Sequence, residues 1–170
     1  SLIPVLLRWP LLLMPVHIVF LELLIDPACS IVFENEPEEP NLMARPPRNP
    51  QEPLFNKKII TLSLLQGVIV LLILIWNYLI ASWYGLSEMH TRALIFTTLI
   101  VSNIALIITN RSWSQNLNSI MRTANPALWK MFIGGAIFLS LILYLPSLQA
   151  LFGFKALHGL DILISLGAGM

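Results

Sequence analysis

Long apolar blocks alternate with shorter polar ones along the chain, and block length decides what the apolar ones are. Blocks at about 11–33, 59–82, 90–110 and 128–145 are each long enough to carry a helix across roughly 30 Å of hydrocarbon. Residues 1–8 read as the end of an incoming helix, and a last apolar run begins near Leu160. The pattern predicts an all-α, polytopic membrane helix bundle with four complete transmembrane helices and truncated helices at both ends. Polar positions within the blocks are few. The second span holds Gln66, Gly67 and Asn77, and the third holds Thr97, Thr98, Ser102, Asn103 and Thr109. Such residues commonly hydrogen-bond to neighbouring helices. Arg8, Trp9 and Pro10 form an expected surface turn, and Trp76, Tyr78, Trp83 and Tyr84 an aromatic belt at one membrane face. Residues 85–88 read as a tight turn, Pro146 closes the fourth span, and 147–155 reads as a loop. No internal repeat is evident.

Composition agrees with the pattern. The chain is 56% hydrophobic and only 11% charged, against about 25% charged in a soluble domain. The single cysteine, Cys29, cannot close an internal disulfide and is expected to pack as a small apolar residue. His17, His90 and His158 are isolated from one another in sequence, and no CxxC, HExxH, GxSxG, Walker or dinucleotide pattern is present. His17 is placed at an outer entrance, with a proton relay to Glu22 as one possible role. The chain starts at Ser1 and stops inside the apolar run 162–170. It is therefore expected to be a piece of a longer protein.

Charge distribution sets the orientation. Arg45, Arg48, Lys57, Lys58, Arg111, Arg122 and Lys130 fall in or beside the second and fourth connections, against Arg8, Arg92 and Lys155 on the other side. This bias places loops 34–58 and 111–127 in the cytoplasm. The first of these is rich in proline and glutamate, which favours extended backbone and suits either a solvated linker or a docking segment. The lipid bilayer is the expected surrounding, and no nucleic-acid partner is expected.

The chemistry gathers in the first span. Glu22 and Asp26 are four residues apart, so on a helix they share one face a turn apart. Carboxylates inside an apolar span are costly and are functional by default. Pro27 has no N–H, which leaves the carbonyl of Leu23 without its helical donor, and it disfavours helical geometry at Asp26. Two carboxylates, a freed backbone oxygen and an expected helix break at Pro27 form a ligand set suited to a hard cation. The alternatives are a protonated or helix-paired acid couple and a simple proline kink.

Two motifs carry a family resemblance. Leu-Glu-Leu-Leu-Ile-Asp-Pro-Ala at 21–28, followed by Asn-Leu-Met-Ala-Arg-Pro-Pro-Arg-Asn-Pro-Gln-Glu-Pro-Leu at 41–54, resembles the carboxy-terminal transmembrane region of P-type cation-transporting ATPases. The likeness is greatest to bacterial relatives of the calcium pumps. It covers essentially all of residues 1–170, from the end of the fifth helix through the sixth to ninth and into the tenth. It implies an ATP-driven cation pump in a bacterial plasma membrane, whose actuator, phosphorylation and nucleotide-binding domains, with their ATP and Mg2+, lie outside this chain. The chain would then hydrolyse no ATP alone, and its partners would be those remaining domains.

Residue by residue, Asp26 matches the family's cation-ligating aspartate of the sixth helix. Glu22 falls where calcium pumps commonly have asparagine, and Ile25 where two-site pumps have threonine. Asn103 falls near an acidic ligand of the two-site pumps. The implied ligand set is Glu22, Asp26, the Leu23 carbonyl and Asn103, forming one principal cation site. Calcium is the first candidate; a proton or another divalent cation could use the same carboxylates. Arg45 and Arg48 would dock the loop against the phosphorylation domain or simply anchor it. The rival reading is a non-catalytic membrane scaffold, a truncated paralogue that binds a partner. An intramembrane hydrolase using the two acids lacks a nucleophile or metal centre.

Overall fold

A computed structural model of the chain describes residues 6, 8–35, 57–110 and 126–169. Six helices follow in order: α1 Pro15–Glu34, α2 Lys57–Trp83, α3 Glu88–Asn110, α4 Pro126–Tyr144, α5 Pro146–Phe152 and α6 Gly159–Gly169. The described part is all-α. Helices α1 to α4 are each long and apolar enough to cross a membrane. The end of the incoming helix and loops 34–58 and 111–127 lie largely outside the described residues.

Local chemistry fixes the helix ends. Pro15 and Pro126 occupy first helical positions, where a missing N–H costs nothing. The amide of Asn35 and its side-chain Nδ2 both donate to Ile31 O, which closes α1. Beyond α2, Gly85 adopts φ 64°. Its N–H reaches Ser82 O at 3.1 Å and that of Leu86 reaches Ala81 O at 3.0 Å, the paired bonds of a Schellman end. Ser87 then caps α3 by accepting the His90 amide at 3.4 Å. The tight turn expected at 85–88 is therefore a helix stop followed at once by a helix start.

Two expectations need correction. Residues 147–155 are not simply a loop. Pro146 opens the seven-residue α5, and Gly153, at φ 61°, ends it. A Cβ at Gly153 would lie 3.0 Å from Arg92 Nη1 and from Met14 Cε. Nor is there a break in secondary structure at Pro27, because α1 runs through it as one helix with Asp26 inside. The proline still removes the donor to Leu23 O. The helix persists because it is packed on both sides of the proline: Phe20 sits in one core cluster and Val32 in another.

Those clusters define the bundle. One gathers Phe20, Phe96, Ile100, Ile142, Phe152, Phe154 and Leu157; the other gathers Val32, Ile107 and Leu128, with Cys29 packed against it as an apolar residue. α1 and α3 therefore run side by side in the same direction, and α4 returns between the clusters. α2 buries only Asn77 and Ala81 and is held to α3 by polar pairs. Asn77 Nδ2 donates to Thr98 Oγ1 at 3.2 Å, and Gln66 and Asn110 exchange amide contacts at 3.3 and 3.4 Å. The residue numbers of the two pairs sum to nearly the same value, as an antiparallel register requires. In lipid such pairs act as glue between surfaces with no hydrophobic drive to associate. Trp76, Trp83 and Tyr84 are exposed toward one end of α2, as an interfacial belt requires, and Tyr78 meets Trp9 with the rings tilted by 30° and centroids 4.5 Å apart.

Replacing Asn77 by Leu should lower the stability of the α2–α3 pair by about 1 kcal/mol, read as a lower midpoint in detergent-induced unfolding. Gly67→Ala, where a Cβ meets nothing within 4 Å, should leave that midpoint unchanged or slightly raised. Equal midpoints for Asn77→Leu and wild type would remove the polar clamp from the account.

Candidate functional site

The rotation of α1 about its axis decides where the carboxylates point. His17 is fully buried. Its Nδ1 accepts the Met14 amide at 3.0 Å, so the proton belongs on Nε2, which faces Phe152 O at 2.8 Å and donates to it. The ring lies between Phe96, Phe152 and Phe154, with centroids 5.1, 5.7 and 4.8 Å away. His17 is therefore a core residue and not an outer entrance, because both nitrogens are engaged and three aromatic rings enclose it. With no free nitrogen it cannot pass a proton to Glu22, which lies about 140° round the helix at 100° per residue.

With His17, Phe20 and Val32 turned inward, Glu22 and Asp26 are turned outward, and both are exposed on α1. They share that face with Val19 and Leu23, 56% and 70% exposed. The two acids thus do stand a turn apart on one side, beside the carbonyl that Pro27 leaves without a donor. Asn103 is half-buried on α3. The packed face of α1, not its acid face, meets α3, as the Phe20–Phe96 contact at 5.8 Å shows. Within this chain Asn103 is therefore not joined to the carboxylates. Among the described residues no group of three or more His, Cys, Asp or Glu side chains is placed so that it could hold a metal ion. Arg45 and Arg48 lie outside the described residues. Ser102, beside Asn103, is buried with its hydroxyl unpaired, as is Ser165 on α6. Close packing surrounds that spot: a Cβ on Gly169 would fall 2.7 Å from Val101 Cγ1 and 3.2 Å from Ser102 N.

A family model described as cation transporting ATPase, C-terminus, matches residues 10–170. The chain belongs to that family. A curated relative, the "Calcium-transporting ATPase 1" of Bacillus cereus (strain ATCC 10987 / NRS 248), is 24% identical over 169 residues. The match takes in 90% of this chain and 19% of the relative, so the chain spans about a fifth of that protein's length. The chain is thus an integral membrane domain of the cation-transporting ATPase family, with four helices among the described residues long and apolar enough to span. In this family member the acid face of α1 is exposed for want of any covering element among the described residues.

Sequence reading missed one group of residues altogether. His90 on α3 and Asp161 on α6 meet at 3.1 Å across 71 positions, with His158 beside them. The available signal was Asp161 three residues after His158 at the start of an apolar run, the spacing at which an acid caps a helix start.

His17→Phe preserves an aromatic ring but leaves the buried Phe152 carbonyl without its donor. It should cost about 1–3 kcal/mol of stability, seen as a lower unfolding midpoint in detergent. Stability equal to wild type would show that the hydrogen bond does not set α1.

Proposed function

We propose that this chain is the ion-carrying membrane part of an ATP-driven cation pump, with Glu22 and Asp26 as ligands of the transported cation and calcium as the cargo. One observation carries the reading: two carboxylates a turn apart in mid-span, on a face directed away from the chain's own core, beside the Leu23 carbonyl, from which Pro27 removes the helical donor. An ionised Asp facing hydrocarbon costs about 2.5–3.5 kcal/mol on insertion scales. Such a face calls for a cation and for further protein to cover it. Other helices of the pump would supply that cover and the remaining ligands. Membership of a cation-transporting ATPase family and likeness to a protein named as a calcium transporter support the reading.

The chemistry follows from the oxygens. A hard divalent cation takes carboxylate and carbonyl oxygen readily, and carboxylates in a low dielectric hold it strongly. Release then requires the site to change geometry or take up protons. Asn103 is a ligand in this scheme only if conformational change brings α3 against the acid face. ATP and Mg2+ act in domains beyond this chain, and Arg45 and Arg48 would dock loop 34–58 against the phosphorylation domain. Loops 34–58 and 111–127 face the cytoplasm of a bacterial plasma membrane, by the excess of Lys and Arg on that side over the other.

In the whole pump, Asp26→Asn should abolish calcium-dependent phosphorylation by ATP. Glu22→Gln should weaken the apparent calcium affinity by roughly tenfold or more, equivalent to at least about 1.4 kcal/mol. A wild-type calcium titration in both variants would refute the ligand assignment. Activation by magnesium, manganese, sodium or potassium in place of calcium would reassign the cargo and leave the ligands standing.

A further inference from the structure

We infer that a small cavity beside Arg92 binds the headgroup of a membrane phospholipid that carries a primary ammonium, with Arg92 on the phosphate and Glu88 on the ammonium. The cavity has a volume of about 120 Å³. Holding one water takes roughly 10–15 Å³ of such space, so a phosphate group fits. It is walled by residues 10–12 ahead of α1, by Tyr78 and Ser82 in the last turns of α2, and by Leu86, Glu88 and Arg92 at the start of α3. Depth in the bilayer points to a lipid. Trp83 and Tyr84 are exposed immediately beyond Ser82, and Trp9 meets Tyr78 beside it. Aromatic residues gather at the level of the lipid headgroups, so the cavity lies where phosphates lie.

Charge points to the phosphate. Arg92 is fixed on the cavity wall: its Nε donates to Leu11 O at 3.1 Å, and its Nη1 lies against Gly153, where a Cβ would fall 3.0 Å from it. Its Nη2 faces Glu88 Oε2 at 3.8 Å, too far for a hydrogen bond. Among the described residues the guanidinium therefore keeps donors for a further acceptor, and its planar fork suits phosphate oxygens. The Arg92 side chain is only 14% exposed, and in such low-dielectric surroundings an oxyanion is held more strongly than in water. Basic pockets between membrane helices bind lipid headgroups on the same grounds.

Glu88 selects the headgroup. It precedes Arg92 by four residues at the first position of α3, so it stands about 6 Å nearer the water along the helix. Its side chain is 69% exposed and free to turn. A phosphate with no cation attached would meet this carboxylate as a like charge. Phosphoethanolamine carries its ammonium a few atoms beyond the phosphate, on the water side, and so meets both ends of the Glu88–Arg92 pair with opposite charge. A choline headgroup has the charge but no N–H to donate, and a glycerol headgroup has no cation. Leu11 and Leu86 are exposed at the rim and give the start of the acyl chains an apolar surface. The inference needs only a membrane-embedded chain and is independent of the ligand assignment at Glu22 and Asp26.

The test is native mass spectrometry of the intact protein, purified in detergent, stripped of lipid and titrated with phosphatidylethanolamine, phosphatidylcholine and phosphatidylglycerol. Wild type should bind one phosphatidylethanolamine at least roughly tenfold tighter than either other lipid, the equivalent of about 1.4 kcal/mol. Glu88→Gln should lose that preference, and Arg92→Gln should weaken the binding of all three. Because Glu88 is exposed, its glutamine variant keeps the fold, so the comparison survives even if Arg92→Gln does not. Inorganic phosphate should leave the lipid in place; displacement of the lipid by it would assign the cavity to a free anion and overturn the inference. Equal affinity of wild type for the three lipids would also overturn it, as would an unchanged preference in Glu88→Gln or unchanged lipid binding in a folded Arg92→Gln.

Discussion

The hydrogen bond between His17 and the Phe152 carbonyl, with the aromatic rings around it, governs the arrangement of this domain. In a bilayer, apolar helix faces gain little by choosing one neighbour over lipid, so packing detail and polar contacts must set each helix's rotation. His17 supplies both at once. Its Nδ1 caps the start of α1, its Nε2 reaches across to the end of α5, and its ring fills the space between Phe96, Phe152 and Phe154. Once His17 faces inward, Phe20 and Val32 follow on the same side, and Glu22 and Asp26 are committed to the opposite one. The position of the acids is thus a consequence of a buried histidine more than a turn away.

The same economy of polar contacts recurs elsewhere. α2 presents an almost wholly apolar surface and is attached to α3 through Asn77–Thr98 and Gln66–Asn110. Thr98 also donates to Leu94 O at 2.9 Å, so its hydroxyl serves as donor and acceptor together. At the end near Trp83, the starts of α3 and α6 are joined through His90 and Asp161. Gln66, Asn77, His90, Thr98, Asn110 and Asp161 are therefore joints between helices of the bundle. Glu22 and Asp26 differ from them: among the described residues neither has a hydrogen-bond or ion-pair partner on another helix.

Much of the fold was legible because span length and hydropathy are strong signals. The readings 59–82 and 128–145 differ by only one or two residues at each end from Lys57–Trp83 and Pro126–Tyr144. Helix α5 was not legible, since seven residues are too few for a periodicity to register; only Pro146 at its first position and Gly153 after it marked its ends. The continuity of α1 through Pro27 was also hidden, because it depends on packing at Phe20 and Val32 that local propensity does not report. The pairing of Glu22 with Asp26 on one face was readable from a spacing of four. Which way that face points was not, because an almost uniformly apolar helix carries no amphipathic stripe to reveal its buried side. His17 illustrates the limit: its residue type suggested chemistry, and its neighbours turned out to be phenylalanines distant in sequence.

For Glu22 and Asp26 to hold a cation, the outward acid face of α1 must be covered by protein in the assembled pump. Spin labels at Val19 and Leu23, which flank the acids on that face, report directly whether lipid or protein lies against it. In the whole pump reconstituted in bilayers, the account predicts low collision rates with oxygen dissolved in the lipid at both positions. Labels at Leu64 and Leu72 on the exposed surface of α2 give the lipid-facing reference. Rates at Val19 and Leu23 equal to that reference would place the two carboxylates against hydrocarbon and contradict their role as cation ligands.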